Sequence, residues 1–282
     1  YVSLEKALRE EGSIQPGDKV YAVHKKKLVI LFHIGTEPME RGVNILGAHI
    51  DSPRLDIKQN PLYEDGEMAL LETHYYGGIK KYQWAAIPLA LHGTVVKKDG
   101  STVEIAVGEQ PGDPVFGISD LLIHLSSEQL QKKAAVVVEG ENLNVIVGSR
   151  PLKDTEEKEK IREALLGILK EQYGIEEEDF LSAEPAGAAR DFGLDRSMIM
   201  GYGQDDRICA FTSLLAQLEV QDPAYTSVCL LTDKEEIGSM GATGMQSRYF
   251  ENVTAEVMQL SGQYSELALR RCLQNTHMLS SD

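Results

Sequence analysis

Four short stretches place metal-ligating side chains at the edges of apolar elements. In "GAHIDSPRLD" (47–56), His49 and Asp51 close an apolar run that begins at Val43. Two residues apart on an extended chain, they face the same way. An imidazole that binds metal needs its second nitrogen held by an acceptor, and Asp51 is placed to do that or to bridge. In "GQDDRICAF" (203–211), Asp205 and Asp206 stand where a helix begins. A helix N-terminus keeps a carboxylate ionised, as a metal ligand must be. In "LLTDKEEIGS" (230–239), Asp233, Glu235 and Glu236 follow an apolar strand. Adjacent glutamates crowd two negative charges, which is costly without a cation. One can bind metal while its neighbour takes a proton from water. In "LSSD" (279–282), Asp282 follows another short apolar stretch. Taken singly, each has a plainer alternative: a solvated turn with a satisfied histidine, a helix cap, an acidic turn, a surface acid.

Together they point to one site. Open α/β sheets build sites at the carboxyl ends of strands. One histidine with several carboxylates suits two divalent metals sharing a bridging carboxylate, ~3.5–4 Å apart. The chain has no GxSxG elbow, P-loop, GxGxxG or HExxH. The 282 residues carry 44 acids against 28 Lys plus Arg, a formal charge of −16, which argues against phosphate-backbone binding. The reading is therefore no nucleic acid and, with no apolar run of ~18 residues, no membrane. Cys209, Cys229 and Cys272 are far apart and lack CxxC spacing. They fit core positions in a reducing, cytoplasmic setting.

The elements that must position these residues read as follows. "SLEKALREEG" is a helix ended by Gly12, and "KKLVILFHIG" and "GVNILGAHI" are buried strands. From about residue 60 the chain turns β-rich. "LHGTVVKKDGSTVEIAVG" is a hairpin with an Asp99-Gly100 turn, and "KAAVVVEGENLNVIVG" is expected to be a further strand pair. Residues 154–173 predict an amphipathic helix with Ile161, Leu165, Ile168 and Leu169 as its stripe. "IEEEDFLSAEPAGAARDFGLDRS" is expected to be an irregular connector. Near residue 200 the α/β pattern returns. "DDRICAFTSLLAQL" is a helix expected to turn Ile208, Phe211, Leu215 and Leu218 inward. A strand precedes "DKEEIGS", two helices follow it, and "HMLSSD" ends another strand. The chain begins at Tyr1 rather than Met and closes on "NTHMLSSD", which reads as part of a longer protein.

The order HxDSP, "HYYGGIKKYQW", "DLLIHL", "QDDRICA", "DKEEIGS", "SSD" resembles the aspartyl aminopeptidase family, dinuclear zinc metallopeptidases, and looks closest to its bacterial branch. The resemblance runs from about residue 19 to the end. It implies that His49 ligates one metal and Asp51 orients it, that Asp205 bridges both metals, and that Glu236 binds the other. Asp282 would bind the same metal as His49. Glu235 would be the general base that activates the metal-bound water. His124, in "DLLIHL", would contact substrate or, alternatively, ligate metal; the residues alone read it as a buried histidine on an apolar stripe. The family's last ligand, a histidine, is expected beyond Asp282.

The implied fold is an α/β, mixed-sheet catalytic domain interrupted by an inserted β-rich dimerisation domain. The composition shifts place these at 1–58, 59–198 and 199–282. The implied cofactors are two divalent ions per subunit, zinc with cobalt or manganese as alternatives. The implied partners are peptides with a free N-terminus and further copies of the chain, as a homodimer assembling to a dodecamer. Two other functions stay open: a related dinuclear deacylase or carboxypeptidase, and a non-catalytic, metal-stabilised shell protein.

Overall fold

The structure is a computed structural model that describes residues 1–10, 12–96, 100–152, 159–168, 170–171, 181–186 and 190–280. Its strands are β1 (Val2–Ser3), β2 (Lys19–His24), β3 (Leu28–His33), β4 (Asn44–His49), β5 (Arg54–Asp65), β6 (Met68–Tyr76), β7 (Leu89–Val96), β8 (Thr102–Val107), β9 (Val145–Gly148), β10 (Leu181–Pro185), β11 (Arg190–Phe192), β12 (Met198–Met200), β13 (Ser227–Thr232) and β14 (His277–Ser280). Its helices are α1 (Leu4–Arg9), α2 (Lys81–Trp84), α3 (Lys160–Ile168), α4 (Gln204–Glu219), α5 (Tyr249–Leu260) and α6 (Glu266–Asn275). The chain divides into two compact units. One joins Tyr1–Ser52 to Gly203–Asp282; the other is the stretch between, Pro53–Tyr202. The sequence expectation put these divisions at 58/59 and 198/199. Cuts there would split β5 and β12, each a single strand of the second unit.

The first unit is built on a six-stranded mixed sheet, order β1-β2-β3-β13-β4-β14. β13 runs antiparallel to β3 and parallel to β4, and β14 runs parallel to β4. The inner strands are apolar almost throughout because both faces are covered. On one face Ile30, Phe32, Ile45, Val228 and Leu230 pack with Val253, Val257, Met258 and Leu269 of α5 and α6. On the other, Leu31, Ala48, Cys229 and Leu231 pack with Ala210 of α4. Burial pushes the Cys229 and Cys272 thiols up to about 11, so both behave as inert core residues. The turn into β4 needs Gly42: its φ is +98°, and a Cβ there would lie 2.2 Å from the Asn275 carbonyl oxygen.

Helix α4 corrects one expectation. Ile208 and Phe211 are 57% and 61% exposed, and Leu215 and Leu218 are exposed too. The helix instead turns Asp206, Ala210 and Gln217 inward. Ala210 lets the helix axis approach the sheet, and Gln217 is buried because its side chain bonds the Ser227 hydroxyl and carbonyl. Polar satisfaction, rather than the bulky stripe, sets the buried face.

The second unit carries an antiparallel sheet, order β8-β7-β10-β5-β6-β9, and the ribbon β11-β12. Its core includes Leu55, Ile57, Leu71, Leu89, Leu91 and Val145, with Ile161 of α3 against it. The Glu64 carboxylate accepts the Ile161 and Arg162 N–H groups and so fixes the start of α3. Leu165 packs on this core, Ile168 is exposed, and Leu169, residues 153–158 and Gly174 lie outside the described residues. The hairpin β7-β8 pairs Val96 with Thr102, while Asp99 of its expected turn lies outside the described residues. Two expectations are corrected. Residues 133–148 form 3-10 turns at Ala134–Val136 and Gly140–Asn142 and one strand, β9, because Leu143 is pinned as Thr73 donates to its carbonyl. And the expected irregular connector contains β10, a central strand between β7 and β5. Its acids and its Pro185 hid that strand.

Candidate metal centre

Strands β4 and β13 are parallel neighbours that end side by side, with His49 opposite Thr232. The Ile50 N–H donates to the Thr232 carbonyl and carries the pairing one step further. The residues that follow each strand therefore emerge together, as strand ends in an open α/β sheet do. One strand delivers His49 to Asp51, and the other the loop with Asp233, Glu235 and Glu236. Helix α4 brings Asp205 and Asp206 to the same place.

The His49 ring is buried and oriented from behind. Its Nδ1 faces two acceptors, the Asp51 carbonyl at 3.0 Å and the Asp51 Oδ1 at 3.3 Å. That arrangement keeps the proton on Nδ1 and turns the Nε2 lone pair outward. Nε2 lies 3.1 Å from Asp205 Oδ1 and 3.8 Å from a Glu235 carboxylate oxygen. Burial pulls the His49 pKa down, but Asp51, Asp205 and Glu235 outweigh it and hold it above the usual value. Glu236 is held above the usual carboxylate range, first by burial and then by Asp205, with Asp51 and Glu235 adding.

His49, Asp205 and Glu236 each offer one ligand atom, and these atoms lie within 4.8 Å of one another. One imidazole nitrogen and two carboxylates form the N/O set that zinc accepts. Both burial and the neighbouring acids disfavour charge on Glu236, and a divalent ion would offset both. The residues present fit a zinc ion on both counts.

Asp51 does more than orient the ring. Its Oδ1 accepts the Glu235 N–H at 3.1 Å and its Oδ2 the Glu236 N–H at 3.3 Å. Sequence reasoning also missed two roles. Asp206 is buried, and its carboxylate accepts the His49 N–H. The Ser52 hydroxyl donates to the Asp205 carbonyl. No local pattern signals either, because each joins positions more than 150 residues apart.

The structure thus brings together His49, Asp51, Asp205, Glu235 and Glu236. Asp282 lies outside the described residues. His124 belongs to the other unit, on the 3-10 turn Ile123–Leu125. It is exposed, as are Leu121, Leu122, Ile123 and Leu125 around it, which corrects the reading of a buried histidine on an apolar stripe.

A mixed α/β sheet whose parallel strands end in a histidine-carboxylate cluster defines a protein with a metal-type centre. Comparison with known proteins gives the family. The model of the aminopeptidase I zinc metalloproteases (M18) matches residues 2–282, and the chain belongs to that family. A probable M18 family aminopeptidase 1 of Clostridium acetobutylicum is 60% identical over 286 residues, covering 100% of this chain and 62% of that protein. The crystal structure of aminopeptidase I from Clostridium acetobutylicum matches 98% of this chain and 63% of that one, at TM-score 0.86 and 55% identity. That of an M18 family aminopeptidase from Thermotoga maritima matches the same shares at TM-score 0.89 and 43% identity. The chain therefore spans less than two thirds of the length of these relatives. None of the described helices is long and apolar enough to cross a membrane.

Proposed function

We propose that the protein to which this chain belongs is a zinc aminopeptidase that hydrolyses the N-terminal residue of peptides. The observation that carries the proposal is the convergence of His49, Asp205 and Glu236 within 4.8 Å, with a Glu235 oxygen 3.8 Å from His49 Nε2. His49 and Asp205 would hold one ion and Glu236 a second, with Asp205 between them and Asp282 completing the first. Bound zinc would supply Lewis-acid polarisation of the scissile carbonyl and bring water deprotonation near neutral pH. Glu235 takes the proton of the attacking water on its carboxylate and delivers it to the leaving amine nitrogen. Its side chain is half exposed, so water and substrate can reach it. Asp51 keeps the His49 ring and the Glu235–Glu236 backbone in place throughout. The free α-amine of the substrate would rest on the acidic cluster, which accounts for cleavage at the N-terminus.

Several finer points belong to the same proposal. The second unit, Pro53–Tyr202, is a dimerisation unit, and dimers assemble further to a dodecamer in the cytoplasm. Exposed Leu121, Leu122, Ile123, Leu125 and Leu130 support burial against a second copy. His124 would then act on the partner's substrate, its ring donating to the carbonyl oxygen or the tetrahedral oxyanion. The test uses the complete protein. Elemental analysis should give two divalent ions per subunit. Peptides with a free N-terminus should be cleaved and N-acetylated ones spared, with the rate lost on chelation and restored by zinc. Cleavage of acetylated peptides, or full activity after chelation, would overturn the proposal. For His124, mixing His124→Ala with Glu235→Gln should restore partial activity through mixed dimers. No complementation after confirmed subunit exchange would remove the shared role.

A further inference from the structure

We infer that Thr243 is a positioning residue: with Asp233 it clasps the base of the loop that presents Glu235 and Glu236. The inference rests on the metalloaminopeptidase reading above for its functional consequence. The loop leaves β13 at Thr232 and returns to α5 at Tyr249. The Asp51 carboxylate holds it at one place, the backbone N–H groups of Glu235 and Glu236. The second hold is ten residues across the loop. The Asp233 N–H donates to the Thr243 carbonyl at 3.3 Å, and the Thr243 hydroxyl donates to Asp233 Oδ2 at 2.6 Å. Both residues are buried. A carboxylate is kept out of water only where donors satisfy it, and an O–H to a carboxylate oxygen at this distance is a charge-assisted bond.

Cross-bonds brace the stretch from Lys234 to Gln246. The Ser239 N–H donates to Lys234 O at 2.7 Å, the Gln246 N–H to Ser239 O at 3.2 Å and the Gln246 side-chain amide to Gly238 O at 2.8 Å. Gly244 is pressed against Ser239, whose carbonyl oxygen would lie 2.1 Å from any Cβ added there. The loop is therefore braced internally, and Asp233, its first residue after β13, is tied across it to Thr243. Asp233 faces Thr243 and is absent from the ligand-atom cluster of His49, Asp205 and Glu236. Its part is to set where the next two acids stand. Site geometry must hold to ~0.5 Å for a ligand or a base to work, and Glu236 and Glu235 follow Asp233 by three and two positions. Opening the base displaces both at once.

The test compares Thr243→Val, which keeps the shape and removes the donor, with Thr243→Ser, which keeps the hydroxyl, both in the complete protein. Zinc affinity is read by competition with a chromophoric chelator, alongside kcat, KM and the thermal midpoint. Thr243→Val should weaken zinc by about 10–100-fold, as loss of a ligand-supporting partner does. It should lower kcat with KM unchanged, and Thr243→Ser should restore zinc affinity and kcat. Wild-type zinc affinity and kcat in Thr243→Val, even with a lowered thermal midpoint, would overturn the inference and leave the pair a purely structural contact. If Thr243→Val does not fold, Asp233→Asn is read in its place. It retains one acceptor but loses the charge, and unchanged zinc affinity in that variant overturns the inference equally. A wild-type protein that binds zinc yet releases no N-terminal residue would refute the aminopeptidase reading alone; the clasp would still be decided by zinc affinity.

Discussion

Replacing Asp51 by Asn tests the centre most directly, because shape is kept while the hydrogen-bonding logic is broken. Both Asp51 oxygens accept a backbone N–H, from Glu235 at 3.1 Å and Glu236 at 3.3 Å. The same side chain faces His49 Nδ1 at 3.3 Å and is almost wholly buried. Asparagine has one acceptor oxygen and one NH2. Whichever way the amide turns, one of the two backbone donors meets another donor. A buried orphaned donor costs about 1–3 kcal/mol, and the surviving bond falls from charge-assisted to neutral, a loss of roughly 1 kcal/mol. The zinc-free protein should therefore lose roughly 2–4 kcal/mol. The His49 ring also loses its carboxylate acceptor, so zinc should bind about 10–100-fold more weakly. Urea unfolding of the zinc-free protein and chelator competition measure the two effects separately. Zinc-free stability within about 0.5 kcal/mol of wild type, the ordinary range for an uninvolved surface change, would refute the bonding scheme. Unchanged zinc affinity would refute the orienting role.

Glu235→Gln should retain zinc and fold, because Asp51 holds its backbone N–H and not its side chain, while kcat falls by about 10²–10⁴-fold; a near-wild-type rate would remove Glu235 as the base. His33 should make stability pH-dependent. It is buried on β3, its Nδ1 has no hydrogen-bond partner among the described residues, and burial, with Lys19 adding, holds its pKa below 6.5 against the opposing pull of Asp222 and the Val220 carbonyl. With the folded value depressed, the unfolded chain binds more protons, so this contribution is complete above about pH 6.5 and is lost as pH falls below it. Denaturation midpoints of wild type should drop between about pH 7.5 and 5.5, and the drop should shrink in His33→Phe; equal slopes would clear His33.

The chemistry was legible because residue types betray it. A histidine, an aspartate pair and a glutamate pair, each at the edge of an apolar run, marked the stretches; the family resemblance chose His49, Asp205, Glu235 and Glu236 within them, and the structure brings those four together. β3, β4 and β13 were legible because strands buried on both faces have nowhere to put a polar residue. β10 was not, because "LSAEP" carries a serine, a glutamate and a proline and gains its place from neighbours on both sides. The face of α4 was misjudged for a related reason. Periodicity reports where bulky residues lie, but the buried face follows Ala210, which permits close packing, and Gln217, whose amide finds Ser227.

What no pattern could supply is the division of labour among the acids. Asp51, Asp206 and Asp233 are 6%, 2% and 7% exposed, and each accepts a hydrogen bond from the protein itself: from the Glu235 and Glu236 N–H groups, the His49 N–H and the Thr243 hydroxyl. The side chains of Asp205 and Glu235 are 70% and 46% exposed, and Glu236 is half-buried. An acid whose lone pairs are taken up by buried donors is poorly placed to ligate or to accept a proton. An acid that reaches solvent with lone pairs to spare can do either. In sequence the two kinds are interleaved, one residue apart in Asp205–Asp206 and two apart in Asp233 and Glu235. Turning some acids toward protein and others toward solvent lets a chain this acidic gather six carboxylates on the segments that follow two neighbouring strands and open one helix. The inward three are held by protein donors, backbone N–H groups at Asp51 and Asp206 and a hydroxyl at Asp233, and the outward three carry the charge that a divalent ion would neutralise.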